Sequence, residues 1–276
     1  MKNKLKFILS TKTSFVLISL CILTSLSLDA AEGGPCKDYG ECDEFNYSLN
    51  NKESLQRGAS TFLNYCYGCH SLQYSRWGRV AADLNIPEEL FFDNLVFDNA
   101  VKSGDLMKGA MSKEDSADWF GVAPPDLTLV TRSKGDDWVY TYLRAYYEDS
   151  SKQYGVNNLV YPGTAMPNVL VDLQGNQKLV CKNIPLIGKN GGEKRDDDGK
   201  TLTKEKCGYL EVVDGEGLLS KEEFDSLIYD LTNFLVYVGE PAKAERERIG
   251  WYVIFFFVIF TALSSLLYRE YQKDYH

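Results

Sequence analysis

The chain is 276 residues long and acidic, with 39 Asp and Glu against 30 Lys and Arg and a net charge of −9. Such a surface repels nucleic acid and anionic membranes and attracts basic proteins, so no nucleic-acid partner is expected. The chain holds only two histidines and four methionines, which limits the metal ligands it can offer.

The first residues, "MKNKLKFILSTKTSFVLISLCILTSLSLDAAEGG", set four lysines ahead of an apolar run at 15–28, followed by small residues at Ala30 and Ala31. That order predicts a secretory signal peptide over 1–31, with a retained membrane anchor as the competing reading. In either case the body leaves the cytoplasm. Loss of 1–31 removes four lysines and one aspartate, taking the net charge from −9 to −12. The exported body, 32–248, is then about 217 residues, enough for one sizeable core or one domain with large insertions.

Cys36 and Cys42 flank "KDYGE", and a small local disulfide is expected between them. The apolar spacing of Leu55, Ala59, Phe62 and Leu63 predicts a helix over about 55–65 that ends at "CYGCH". In C-x-x-C-H, two thiols two residues apart reach the two vinyl groups of one porphyrin edge, and the next histidine ligates the iron. Cys66, Cys69 and His70 therefore predict one covalently attached haem c. A zinc site would need about four ligands, a thioredoxin-like dithiol would want a strand before it, and a plain disulfide leaves His70 unexplained.

Electron transfer without oxygen binding calls for a second axial ligand. His276 lies beyond the C-terminal span, so a methionine is the natural choice, and His/Met ligation raises the potential. Met107 and Met111 lie four apart, where helical spacing would put both on one face. Met166 sits in "VYPGTAMPNVL", a turn-forming stretch between Gly163 and Pro167 that can hold a side chain rigidly. Met166 is the favoured candidate, with the other two open.

Cys181 and Cys207 bracket a polar, glycine-rich insert with little apolar surface, and a disulfide is expected to close it. "DGEGLLSKEEF" and "DDDGKTLTKEK" resemble calcium loops only faintly, since Leu218 and Leu219 stand where an oxygen ligand and the turn glycine belong. Ser220 and Glu223, three apart, form a capping box ahead of Phe224, Leu227, Ile228, Leu231 and Leu235 at helical spacing, and Pro241 stops that helix. Residues 249–268 carry no charge. Twenty helical residues span roughly 30 Å, the thickness of a hydrocarbon core, so one transmembrane helix is expected there with a cytoplasmic tail at 269–276. Trp251, Tyr252 and Tyr268 lie near its ends, as interfacial rings do.

"NYCYGCHSLQYSRW", "WFGVAPPDLTLVTRSKGDDWVYTYLRAYY", "YPGTAMPN" and "FDSLIYDLTNFLVYVGEPA", followed by a single span, together resemble the cytochrome c1 family, closest to its proteobacterial form. The resemblance implies a mainly α fold: a cytochrome c-like haem domain with insertions, plus one C-terminal transmembrane helix. It implies thioether bonds at Cys66 and Cys69, iron ligation by His70 and Met166, a haem-propionate contact from Arg132, and a pocket lined by Pro124 and Pro125. The implied role is a one-electron carrier in the bacterial inner membrane, with the haem domain in the periplasm and no bond-making residues of its own. Cytochrome b and a Rieske iron-sulfur protein are the implied neighbours, and a cytochrome c is the implied acceptor. Two rivals are an anchored cytochrome of another oxidase or dehydrogenase, and a haem sensor or peroxidase with an open iron site.

Overall fold

Helix α1, Lys52–Tyr65, begins where Asn51 accepts the Ser54 N–H (3.0 Å), satisfying one of the donors a helix start leaves free. It buries Leu55, Ala59, Phe62 and Leu63 against a second long helix, Lys221–Gly239. A Cβ on Gly58 would lie 2.0 Å from the Asp230 carbonyl oxygen, so only glycine lets the two backbones approach this closely. Buried Asn233 ties the same contact by accepting the Ser48 N–H (2.9 Å) and donating to the Ser54 hydroxyl (3.0 Å). Arg57 grips the buried Asp230 carboxylate with two bonds, 2.6 and 3.1 Å, from an exposed position.

The computed structural model describes Cys36 and residues 39–187, 191–195, 199, 201–213 and 217–273. The expected signal peptide, 1–31, lies outside these, as do Asp214 of the faint calcium motif and 274–276 of the expected tail.

After α1 come β1 (Leu72–Arg76), α2 (Trp77–Asp83), α3 (Glu88–Leu95), β2 (Leu106–Met107), α4 (Lys113–Phe120), α5 (Val130–Lys134), α6 (Asp136–Tyr142), β3 (Tyr146–Glu148), β4 (Val156–Asn158), α7 (Val171–Gln174), β5 (Gln177–Pro185) and β6 (Thr203–Val212). The helix Lys221–Gly239 is α8, and α9 is Lys243–Tyr271. One core cluster runs from Phe45 through α1, Trp77, Phe91 and Val139 to α8. The capping box of α8 is formed as expected, with Glu223 accepting the Ser220 N–H (2.9 Å), and the helix stops at Gly239, two residues before Pro241.

The expected mainly α class needs amending. Helices build the core, but among the described residues the strands pair into three two-stranded antiparallel sheets, β1–β2, β3–β4 and β5–β6. The longest, β5–β6, occupies the polar insert and is largely exposed. The backbone groups of its two strands are satisfied by strand pairing rather than by burial, so strands with little buried apolar surface still form. Cys181 and Cys207 stand directly opposite each other in that pairing, with Cα atoms 3.8 Å apart, and form the expected disulfide. The Cys36–Cys42 disulfide is also formed, and Cys36 is buried against Ala145, Leu159 and Val160.

Helix α9 is 29 residues long, with a mean hydropathy of 2.1 over its most apolar window and no buried residue in it. At about 1.5 Å per residue it is long enough to cross a bilayer, and the expected span 249–268 lies within it.

Candidate haem site

The C-x-x-C-H segment forms a tight turn at the C-terminus of α1. The Cys66 N–H closes the helix on the Phe62 carbonyl (2.8 Å), and the N–H groups of Cys69 and His70 both return to the Cys66 carbonyl (3.1 and 2.9 Å). Neighbouring backbone locks this turn from outside. The Tyr67 hydroxyl donates to the Lys108 carbonyl (2.6 Å), the Gly109 N–H to the Ser71 hydroxyl (2.8 Å), and a Cβ on Gly109 would lie 3.1 Å from the Tyr67 carbonyl.

Cys66 is buried and Cys69 partly so, and both are free thiols in a chain where Cys36, Cys42, Cys181 and Cys207 are paired. Burial, and then the neighbouring Cys69, push the Cys66 thiol up to about 12, so it stays neutral. His70 is buried, and its Nδ1 lies 2.7 Å from the Pro125 carbonyl oxygen. A carbonyl has no proton to give, so Nδ1–H is the donor and Nε2 carries the free lone pair. Burial holds the imidazole below its ordinary pKa and keeps it neutral, while the Pro125 bond and the Asp126 charge oppose that shift. Two unpaired thiols and a neutral imidazole oriented by a backbone carbonyl are the donor set a covalently attached haem requires.

The loop that orients His70 is fixed by its own carboxylate. Asp126 accepts the Gln73 N–H (2.7 Å) and the Thr128 N–H (3.0 Å), and the Leu127 N–H donates to the Ser71 carbonyl (3.0 Å). Pro125 thus contributes its carbonyl, and Pro124 sits partly buried beside it.

The three methionines separate clearly. Met107 and Met111 do not share a helix face: Met107 is in β2 and fully buried in the core, and Met111 lies in a bend before α4. The helical spacing was misleading because β1 captures the Leu106–Met107 backbone as a strand partner. Met166 lies in a loop that buried asparagines build. Asn157 accepts the Gly163 N–H (2.8 Å), Asn158 accepts the Val160 N–H (2.9 Å), and Asn158 donates to the Tyr142 carbonyl (2.8 Å). Gly163 takes a φ of +79°, which favours glycine. Sequence reasoning missed Asn157, Asn158, Tyr142 and Tyr146; the adjacent asparagines just ahead of a Pro-Gly turn were the available signal. Arg132 is exposed on α5, 3.9 Å from Glu240.

The pattern of the Cytochrome C1 family matches residues 44–178 and 208–275, leaving out most of the β5–β6 ribbon. The chain is 46% identical over 95% of its length, and 98% of the relative's, to a cytochrome c1 of Allochromatium vinosum. It is 39% identical over 82% of its length to a protein of Nitrosomonas europaea named ammonia monooxygenase gamma subunit, covering 85% of that protein. A mitochondrial cytochrome c1 haem protein of Arabidopsis thaliana is 24% identical over 91% of the chain and 76% of the relative. With the haem-binding donor set, the apolar C-terminal helix α9 and this match over most of its length, the chain belongs to the cytochrome c1 family, the subunit of the cytochrome bc1 complex that carries one covalently bound haem c.

Proposed function

We propose that this chain takes single electrons from a Rieske iron-sulfur protein and passes them to a cytochrome c, beside cytochrome b in a quinol:cytochrome c reductase. A bound haem c supplies the one-electron ferric–ferrous couple. The chain's own residues would hold it: Cys66 and Cys69 would supply the thiols for thioether bonds, His70 its Nε2, and Met166 its sulfur as the second ligand. Pro124 and Pro125 line the pocket. Arg132 serves a propionate, a role its planar fork suits and which its loose 3.9 Å pairing with Glu240 leaves open. The observation that carries the reading is the 2.7 Å Nδ1–H bond from His70 to Pro125, which leaves the lone pair of the other ring nitrogen free for a metal.

The body 32–248 faces the periplasm of a bacterial inner membrane, with 249–268 crossing it and 269–276 in the cytoplasm. Support for the acceptor comes from α4, where Glu114, Asp115 and Asp118 flank the exposed Trp119, and exposed Val122 follows three residues before Pro125. Acidic residues around an apolar centre suit brief docking of a basic redox protein.

A reduced-minus-oxidised visible spectrum of the tagged protein, purified in mild detergent, tests this. Bands of c haem together with b haem are expected. A c band alone would remove the cytochrome b partnership, and no haem band would overturn the site.

A further inference from the structure

Around Met166 the hydrogen bonds form a closed group that the sequence reading does not use. The Tyr142 hydroxyl is 3.6 Å from the Met166 Sδ, 2.9 Å from the Thr164 Oγ1 and 2.6 Å from the Tyr146 hydroxyl. The Met166 N–H donates to the Thr164 Oγ1 (3.3 Å), and the Tyr146 hydroxyl reaches the Met166 carbonyl (3.3 Å). Both backbone groups and the sulfur of one methionine are therefore addressed by three hydroxyls.

Proton counting narrows the arrangement. Each hydroxyl has one proton and two acceptor lone pairs, and a thioether sulfur can only accept. The Thr164 hydroxyl can give its proton to the Tyr142 oxygen, while Tyr146 has one proton for two acceptors, the Tyr142 oxygen and the Met166 carbonyl. With Tyr146 turned to Tyr142, the Tyr142 proton is left for Sδ; with Tyr146 turned to the Met166 carbonyl, the Tyr142 proton has Sδ within reach beside the Tyr146 oxygen. A phenol carries its proton at neutral pH, so each hydroxyl has one to give. The ring is held as firmly as the hydroxyl: Trp138 stacks on Tyr142 at 4.9 Å and 7°, and Asn158 donates to the Tyr142 carbonyl.

We propose that Tyr142 is a positioning residue for the axial methionine: its hydroxyl donates to the Met166 sulfur, fixes which lone pair is left for iron, and raises the reduction potential. The inference rests on the reading of Met166 as the sixth ligand. A hydrogen bond to sulfur draws electron density from it, so the sulfur donates less to ferric iron and the ferrous state gains relative stability. The three-hydroxyl group also resists rotation of the Met166 side chain out of its place.

The test compares Tyr142→Phe, Met166→Leu and the double variant with the unaltered protein, all as the detergent-purified holoprotein. The readouts are midpoint potential and the sulfur-to-ferric-iron charge-transfer band. Phenylalanine retains the ring that stacks on Trp138, so Tyr142→Phe should keep covalent haem while its potential falls and its charge-transfer band weakens or moves. On the Met166→Leu background, the same change should add no further shift, since the hydroxyl acts through the sulfur. If Met166→Leu removes the band but Tyr142→Phe leaves potential and band unchanged, the tyrosine proposal is overturned and the ligand assignment stands. An equal shift on both backgrounds also overturns it, because the effect would then bypass sulfur. If Met166→Leu changes neither readout, the ligand assignment itself fails, and the proposal with it.

Discussion

Two regions of this chain each hold a pair of cysteines, and they treat them in opposite ways. In the β5–β6 ribbon, Cys181 and Cys207 face each other across paired strands and are joined. In the turn after α1, Cys66 and Cys69 have only two residues between them, yet remain free. Local backbone decides the difference. The ribbon's register sets the two Cα atoms 3.8 Å apart, whereas the turn bends the chain back on Cys66 to bring His70 under the same segment. The regions differ in support as well: the turn rests on the α1–α8 crossing, while the ribbon is exposed and falls mostly outside the family match. Thiol chemistry in this chain follows the fold rather than sequence proximity.

Three experiments break or sharpen that contrast. The largest effect is expected from Cys66→Ser with Cys69→Ser, which should abolish covalently bound haem, measured as haem-dependent staining after denaturing electrophoresis. Retained staining would mean the turn does not attach the group. Next is Gly58→Ala, which drives a methyl group into the Asp230 backbone carbonyl and should destabilise the α1–α8 crossing by about 3 kcal/mol, read from the thermal midpoint of the purified protein. An unchanged midpoint would show that the turn does not depend on that close approach.

The smallest effect on the haem is expected from Cys181→Ala with Cys207→Ala. The bridge closes a sequence separation of 26 residues. Chain-entropy arguments assign such a closure about 3.5 kcal/mol, but in an exposed ribbon most of that acts on local opening rather than on the core. Proteolysis within 182–206 should accelerate while the visible spectrum stays as before. A changed spectrum would join the two regions that the comparison separates.

Much of the site was legible in the sequence because its chemistry is local. C-x-x-C-H gathers two thiols and an imidazole within one turn, the capping box between Ser220 and Glu223 lies within one helical turn, and the uncharged run at 249–268 declares its length. The Met107 and Met111 spacing failed for the opposite reason: a strand partner thirty-five residues before Met107, Leu72, overrides local periodicity. The ribbon was legible only as a bridged insert, since its order comes from cross-strand hydrogen bonds that composition does not display.

By itself, then, the sequence determined the C-x-x-C-H motif, the capping box of α8 and a membrane-crossing length at 249–268, because each depends on residue type and short spacing, while the two disulfides it suggested were decided by the fold. Only the tertiary structure decided what addresses those groups: the Pro125 carbonyl that fixes the His70 tautomer, the Asn157 and Asn158 side chains that shape the Met166 loop, and the Tyr142 hydroxyl at its sulfur. These contacts join residues up to 55 positions apart, and hydrogen-bond geometry across such distances is set by packing, not by spacing along the chain.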